Sequence, residues 1–232
     1  MSIRHRLGKL IPDQAKPHAA KFYYNIIRRP LHWGDRLGII GPDQIYDDSY
    51  YEKRIREPWI SEGREFSKQL DSVFDPDSVI DFGCGAGNHL LYFSESVDAR
   101  IKGVEGNSKA LQHALVDEIE IADLRQPHET VEQYDLVLSI EVAEHIPEKY
   151  VDNFLETLTR AGETVVITAA PPGQQGIHHV NCQPRDYWID KFDEKGYSYQ
   201  GEAVEQIREN LQLERTQWIE DNLFVFTQRE GD

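Results

Sequence analysis

The sequence predicts an α/β protein: a doubly wound, mostly parallel seven-stranded sheet of Rossmann-like type, with an irregular and helical N-terminal extension. Three observations carry this expectation. Seven short apolar runs recur between residues 78 and 227, helical stretches separate most of them, and the first run passes directly into a glycine-rich turn.

The chain has 232 residues, enough for one domain with a substantial core and an added segment. Residues 1–48 are punctuated by Pro and Gly and read as a basic arm, leaving 49–232 as the folded domain. From Tyr50 to Phe74, the residues Tyr51, Ile55, Trp59, Phe66 and Leu70 predict one or two helices broken near Pro58. Strands are then expected at Ser78–Phe82, Ile101–Glu105, Glu118–Ala122, Asp135–Ile140, Thr164–Ala169, Tyr197–Gly201 and Leu223–Thr227. The clearest helix is Glu148–Arg160, where Val151, Phe154, Leu155 and Leu158 fall at i, i+3, i+4 and i+7 behind Pro147. Strands alternating with helices imply parallel pairing through right-handed crossovers. Tyr187, Trp188 and Phe192 read as core. A helix over Gln206–Glu220 is expected before a last strand that returns at the sheet edge, where it can run antiparallel.

The net charge of −16 is unevenly spread. Residues 1–36 hold eight Lys/Arg against two acids, which leaves 17 basic and 39 acidic residues for the remainder. So acidic a body repels polyphosphate, which counts against a nucleic-acid acceptor. The basic arm is expected to dock on this acidic body. Its other reading is peripheral contact with an anionic membrane or a partner, anchored by Phe22, Tyr23, Tyr24, Ile26, Ile27 and Trp33. Two cysteines, Cys84 and Cys182, give no disulfide framework, and the first residues contain no long apolar run. The expected location is cytoplasmic.

The strongest local signal is Val79-Ile80-Asp81-Phe82-Gly83-Cys84-Gly85-Ala86-Gly87-Asn88, followed by a helical stretch His89–Ser94. Glycines at the carboxyl end of a strand let the backbone turn sharply and approach a ligand closely. Eighteen residues after Gly87 the next strand ends in Glu105, placed to accept hydrogen bonds from both hydroxyls of a ribose. A dinucleotide cradle requires Gly-x-Gly-x-x-Gly, and Asn88 replaces its last glycine. The pattern therefore favours a nucleoside without phosphates.

Asp81-x-Gly83-x-Gly85-x-Gly87 with Glu105 resembles the class I S-adenosylmethionine-dependent methyltransferases, over roughly residues 75–230. The resemblance implies that Gly83, Gly85 and Gly87 line the methionine and ribose portion of S-adenosylmethionine. It further implies that Asp81 holds the methionine amino group, that Glu105 binds the ribose, and that Asp123-Leu124 contacts the adenine.

At the reacting end, the fourth strand leads into Glu141-Val142-Ala143-Glu144-His145. If this segment turns helically, Glu141, Glu144 and His145 share one face, and Glu141 also reaches the cofactor side. The loop carrying His178 and His179 is expected to overhang the same edge; spacing does not separate the two histidines. This set is similar to the Glu-x-x-Glu-His plus distal His metal site of small-RNA 3′-end 2′-O-methyltransferases. It is also similar to the Glu-x-x-Glu-His motif of ubiquinone-biosynthesis O-methyltransferases. The resemblance implies a divalent ion (magnesium, manganese or zinc) held by Glu141, Glu144, His145 and His179. Without a metal, Glu144, His145, His178 and His179 are the candidates for orienting or deprotonating an acceptor hydroxyl.

The expected function is O-methylation of a small polar acceptor such as a sugar or glycan precursor. The polar loop Gln174, Gln175, His178, His179, Asn181, Gln183 and Arg185 offers few aromatics to hold a flat ring. The alternatives are an RNA 2′-O-methyltransferase and a cofactor-binding subunit without turnover.

Overall fold

The computed structural model describes residues 34, 40–128, 132–229 and 231. The aromatic anchors proposed for the arm, Phe22 to Trp33, lie outside these residues. Among the described residues, no helix is long and apolar enough to cross a membrane.

Seven strands form one sheet: β1 Ser78–Phe82, β2 Arg100–Glu105, β3 Ile119–Ile121, β4 Leu136–Ser139, β5 Thr164–Thr168, β6 Tyr197–Tyr199 and β7 Leu223–Gln228. The spatial order is β3-β2-β1-β4-β5-β7-β6. Strands β1 to β5 pair in parallel, whereas β7 runs antiparallel to both β5 and β6. The last strand therefore lies inside the sheet, with β6 at the edge, contrary to the expectation from sequence. Leu223, Phe224, Val225 and Phe226 are all buried, an apolar run that needs cover on both faces.

Helices cover both faces. They are α1 Pro42–Ile45, α2 Asp48–Arg54, α3 Trp59–Phe74, α4 Leu90–Tyr92, α5 Val151–Ala161, α6 Arg185–Asp193, α7 Gly201–Asn210 and α8 Gln217–Asp221. The break expected near Pro58 falls between α2 and α3. On one face Ile80, Phe82, Val137 and Val165 pack with Phe154, Leu158, Trp188 and Phe192. On the other, Val79, Leu136, Leu138 and Val166 pack with Phe66, Leu70, Leu90 and Ile207. This alternation along each strand is the two-residue period of β structure applied to a sheet buried on both sides.

The helix expected over Gln206–Glu220 is instead two helices, α7 and α8, separated by residues 211–216. A side chain distant in sequence explains the split. Glu62 on α3 is buried and its carboxylate accepts the N–H groups of Glu214, Arg215 and Thr216 and the Thr216 hydroxyl. Those amides are satisfied at the start of α8 rather than along a continuous helix. Truncation by Glu62→Ala leaves buried donors unpaired and is expected to cost about 3 kcal/mol. Thermal denaturation followed by circular dichroism checks this.

The strand order reverses between β2 and β4 around β1, so a crevice opens beyond the carboxyl ends of β1 and β4. Both sequence motifs emerge there.

Candidate active site

The crevice is a cavity of about 470 Å³. Its floor is the turn after β1. Gly83 has φ +82°, and a Cβ there would stand 2.4 Å from Cγ2 of Val142, in the turn after β4. Gly85 has φ +59°, and a Cβ on it would meet nothing within 4 Å, because it would project into the cavity. One glycine lets two loops touch; the other keeps space clear for a ligand. Gly83→Ala combines a left-handed backbone with a clash, so a loss of about 2–4 kcal/mol is expected. A urea unfolding curve measures it. Gly87 differs from expectation: it does not line the cavity, and a Cβ on it would press on Val116 at 2.7 Å.

Glu105, at the end of β2, lines the same cavity. Its carboxylate accepts the N–H groups of Gly85 and Asn107, both at 2.9 Å, with the Gly106 amide and the Tyr51 hydroxyl also directed at it. Burial nevertheless raises its pKa. Asp81 sits beneath the cavity lining, almost fully buried, and neither carboxylate oxygen has a hydrogen-bond partner among the described residues. Burial, and then the charge of Glu105, push its pKa up to about 7. An orphaned buried carboxylate beside an open glycine turn fits a cofactor carrying an ammonium group and a ribose. Leu124 and Asp123 both line the cavity, but Asp123 is already held by the Arg125 guanidinium, with contacts of 2.6–3.0 Å.

At the reacting end the predicted helix does not form across Glu141. Glu141 has φ +60°, and only Ala143–His145 makes a single 3₁₀ turn. The cause is Thr168 at the end of β5, whose hydroxyl accepts the Glu141 N–H at 2.6 Å and donates to its carboxylate at 2.9 Å. Trp218 and Asn222 also hydrogen-bond Glu141. The four-residue metal set drawn from sequence is thereby corrected: Glu141 is turned aside, while Glu144, His145 and His179 place one ligand atom each within 4.8 Å of the others.

This trio has a defined electrostatic state. Glu144 is fully buried, and among the described residues neither oxygen makes a hydrogen bond; the N–H groups of Glu144 and Ala170 face it from outside good geometry. Burial and the nearby Glu141 raise its pKa well above the usual carboxylate range. The His145 Nδ1 lies 3.0 Å from the His178 carbonyl, and the His179 Nδ1 lies 3.2 Å from the Gln174 carbonyl. Each ring must donate Nδ1–H there, which leaves both Nε2 lone pairs available. His179 Nε2 stands 3.9 Å from Glu144 Oε1. Burial holds His145 neutral, with a pKa of about 3, and lowers that of His179. His178 differs in role: it takes φ +64° and contributes its carbonyl to His145, so His179 is the histidine that faces Glu144. Gly176 permits this, since a Cβ there would overlap the His179 ring.

The roof of the cavity was not foreseen from sequence. Tyr46, Tyr50, Tyr51 and Arg54 lie over the turn after β1, with Trp59 and Trp218 alongside. This segment is pinned by the body. Asp43 accepts the Ser108 N–H, Asn107 and Lys109 donate to the Tyr46 carbonyl, Arg125 donates to the Ile40 carbonyl, and Asn88 to that of Arg54. The boundary drawn at residue 48 runs through this segment. Of these roof residues only Tyr51 and Trp59 gave a signal, as part of an apolar stripe that reads as core until the fold is known.

A doubly wound sheet with β7 inserted antiparallel, and a phosphate-free cradle at the β1 turn, define the architecture of the class I S-adenosylmethionine-dependent methyltransferases. The family model described as "Methyltransferase domain" matches residues 51–217, and the chain belongs to that family. Chloroplastic tocopherol O-methyltransferase of Arabidopsis thaliana is 29% identical over 156 residues, covering 59% of this chain and 44% of the relative. The chain spans less than half the length of the curated relatives it matches. Among solved structures, DesVI of Streptomyces venezuelae superposes with a TM-score of 0.58 at 15% identity, covering 78% of this chain and 96% of that one. The sugar N-methyltransferase KedS8 from a Streptoalloteichus species gives 0.59 at 14% identity, covering 82% and 94%. These structural likenesses concern the fold.

Proposed function

We propose that the protein is an S-adenosylmethionine-dependent methyltransferase that O-methylates a small hydroxylated acceptor, with a sugar or glycan precursor as the preferred class. One observation carries the reading: His145 and His179 line the same cavity as the open glycine turn and Glu105, and the buried carboxylate of Glu144, without a hydrogen bond among the described residues, lies within 4.8 Å of both. The sulfonium methyl is already activated, so the chain chiefly aligns an acceptor oxygen with it. That oxygen must lose its proton near the transition state, and the bare Nε2 of His179 is placed to receive it. Asp81 receives the cofactor's ammonium and Glu105 its ribose hydroxyls.

Glu144, His145 and His179 also suit a divalent cation, because both rings are oriented by backbone carbonyls through Nδ1 and the carboxylate has no other use. Such an ion, when bound, lowers the pKa of a coordinated hydroxyl. Chelation by EDTA followed by manganese or magnesium addback separates this from direct action of His179: turnover indifferent to both leaves the histidine alone.

The sugar preference stands on different ground from that expected. The loop carrying Gln174, Gln175 and His179 is polar, but Tyr46, Tyr50, Trp59 and Trp218 provide an aromatic wall near it. A sugar ring, with apolar faces and a hydroxylated edge, matches both surfaces. The acidic body argues against RNA as acceptor. Calorimetry with adenosylhomocysteine, then methyl transfer to nucleotide sugars, glycolipids and catechols, tests the proposal. No heat with adenosylhomocysteine defeats the methyltransferase reading, and turnover of catechols alone defeats the sugar class.

A further inference from the structure

Glu141 is turned aside from Glu144, His145 and His179, yet it lines the cavity and reaches two other elements. Thr168, at the end of β5, accepts its N–H and donates to its carboxylate at 2.9 Å. The Trp218 indole N–H, on α8, and the side-chain amide of Asn222, just beyond α8, are directed at the same carboxylate. Asn222 is buried, and its amide nitrogen also donates to Oε1 of Gln174 at 3.1 Å. Gln174 in turn offers its carbonyl to Nδ1 of His179, 3.2 Å away. Two branches therefore leave Glu141. One ends directly on Trp218, a wall of the cavity; the other passes through Asn222 and Gln174 to the His179 ring. The left-handed φ of +60° at Glu141 fits this arrangement, since a non-glycine residue keeps such an angle where its neighbours over-determine it. Those neighbours place three side-chain donors on one group, which suits a carboxylate, an acceptor only.

We propose that Glu141 is a positioning residue for methyl transfer, coupling the wall that seats the acceptor to the nitrogen that takes its proton. The inference rests on the O-methylation reading, with Trp218 in the acceptor wall and His179 as the base. Through Trp218 the carboxylate fixes the indole plane, and so the face against which an acceptor ring packs. Through Asn222 and Gln174 it keeps the His179 proton on Nδ1, which leaves the Nε2 lone pair for the acceptor. Glutamine has the same shape at this position, but its one remaining acceptor oxygen has two lone pairs, so at least one of the three donors loses its partner.

The experiment compares wild type with Glu141→Gln, Asn222→Ala and Trp218→Phe, all saturated with adenosylhomocysteine, by nitrogen NMR of the histidine and indole side chains. Trp218→Phe and His179→Gln assign the two signals. Wild type is expected to show His179 as a single Nδ1–H tautomer. Glu141→Gln shifts the Trp218 indole signal and mixes the His179 tautomers; Asn222→Ala disturbs His179, and Trp218→Phe leaves it unchanged. Kinetics with UDP-glucose and with catechol as acceptors give the second readout. There Glu141→Gln lowers kcat about ten- to a hundredfold and raises the acceptor KM. Asn222→Ala acts on kcat and Trp218→Phe on KM, while adenosylhomocysteine affinity stays near that of wild type throughout. A His179 signal unchanged in Glu141→Gln overturns the proposal. So does a loss of adenosylhomocysteine affinity as large as the loss of rate, which assigns Glu141 to the cofactor. Turnover of neither acceptor by wild type counts against the proposed function, and the two signals then decide the coupling by themselves.

Discussion

Replacing Asp81 by asparagine is expected to raise the melting temperature at pH 8 while weakening adenosylhomocysteine binding on the order of ten- to a hundredfold. The carboxyl is almost fully buried with both oxygens orphaned, and its pKa stands at about 7 against an ordinary 3.8. The folded state therefore binds more protons than the unfolded state between about pH 4 and pH 7, and stability falls as pH rises through that window. Above it the buried charge costs the free protein a few kcal/mol, which a neutral amide avoids. A ligand ammonium reverses the preference, because it favours the ionised carboxylate. Wild-type affinity should thus climb between pH 6 and pH 8, whereas the Asn variant should bind weakly with a flat profile. Melting curves and calorimetry across this range give both readouts. Equal affinity of variant and wild type at pH 8 would remove Asp81 from the cofactor site.

Glu144→Gln should leave the fold standing and lower turnover by about 10²–10⁴-fold. The amide is isosteric, and the backbone carbonyl of Glu144, which accepts the N–H groups of Val180 and Asn181, is untouched. The loop bearing His179 should therefore stay in place. What disappears is the carboxylate that stands 3.9 Å from His179 Nε2 and close to the His145 ring. Cofactor affinity should remain near that of wild type, because Glu144 is proposed to act at the acceptor end. Single-turnover rates, with adenosylhomocysteine affinity as the control, separate the two ends of the cavity. A rate within threefold of wild type would mean that the trio does no chemistry.

Asp81 and Glu144 share a physical signature: each is a buried acid without a hydrogen bond among the described residues. A protein interior tolerates such groups where a ligand later supplies the partner. Their replacement is where stability and function should part most clearly.

Sequence by itself determined the seven strands, because runs such as Val79-Ile80 and Val165-Val166-Ile167 admit no solvent-facing side and must be covered twice. It also marked the turn at Gly83 and Gly85, since glycine takes left-handed backbone angles at least cost and leaves the space beside the chain clear, and it marked Glu105 through its place at the end of the next strand. Tertiary structure decided what depends on partners distant along the chain. Thr168 turned Glu141 out of the helical face that its spacing implied. Glu62 cut one expected helix in two, and pairing with β5 and β6 drew β7 inside the sheet. The His178 carbonyl, by orienting His145, distinguished two adjacent histidines that no spacing rule separates. Residues 43–54 became the roof of the site through partners far along the chain, among them Asn88, Asn107, Ser108 and Lys109. Periodicity reports burial along one element, whereas a site is assembled from hydrogen bonds between elements, and those are written in no single stretch of sequence.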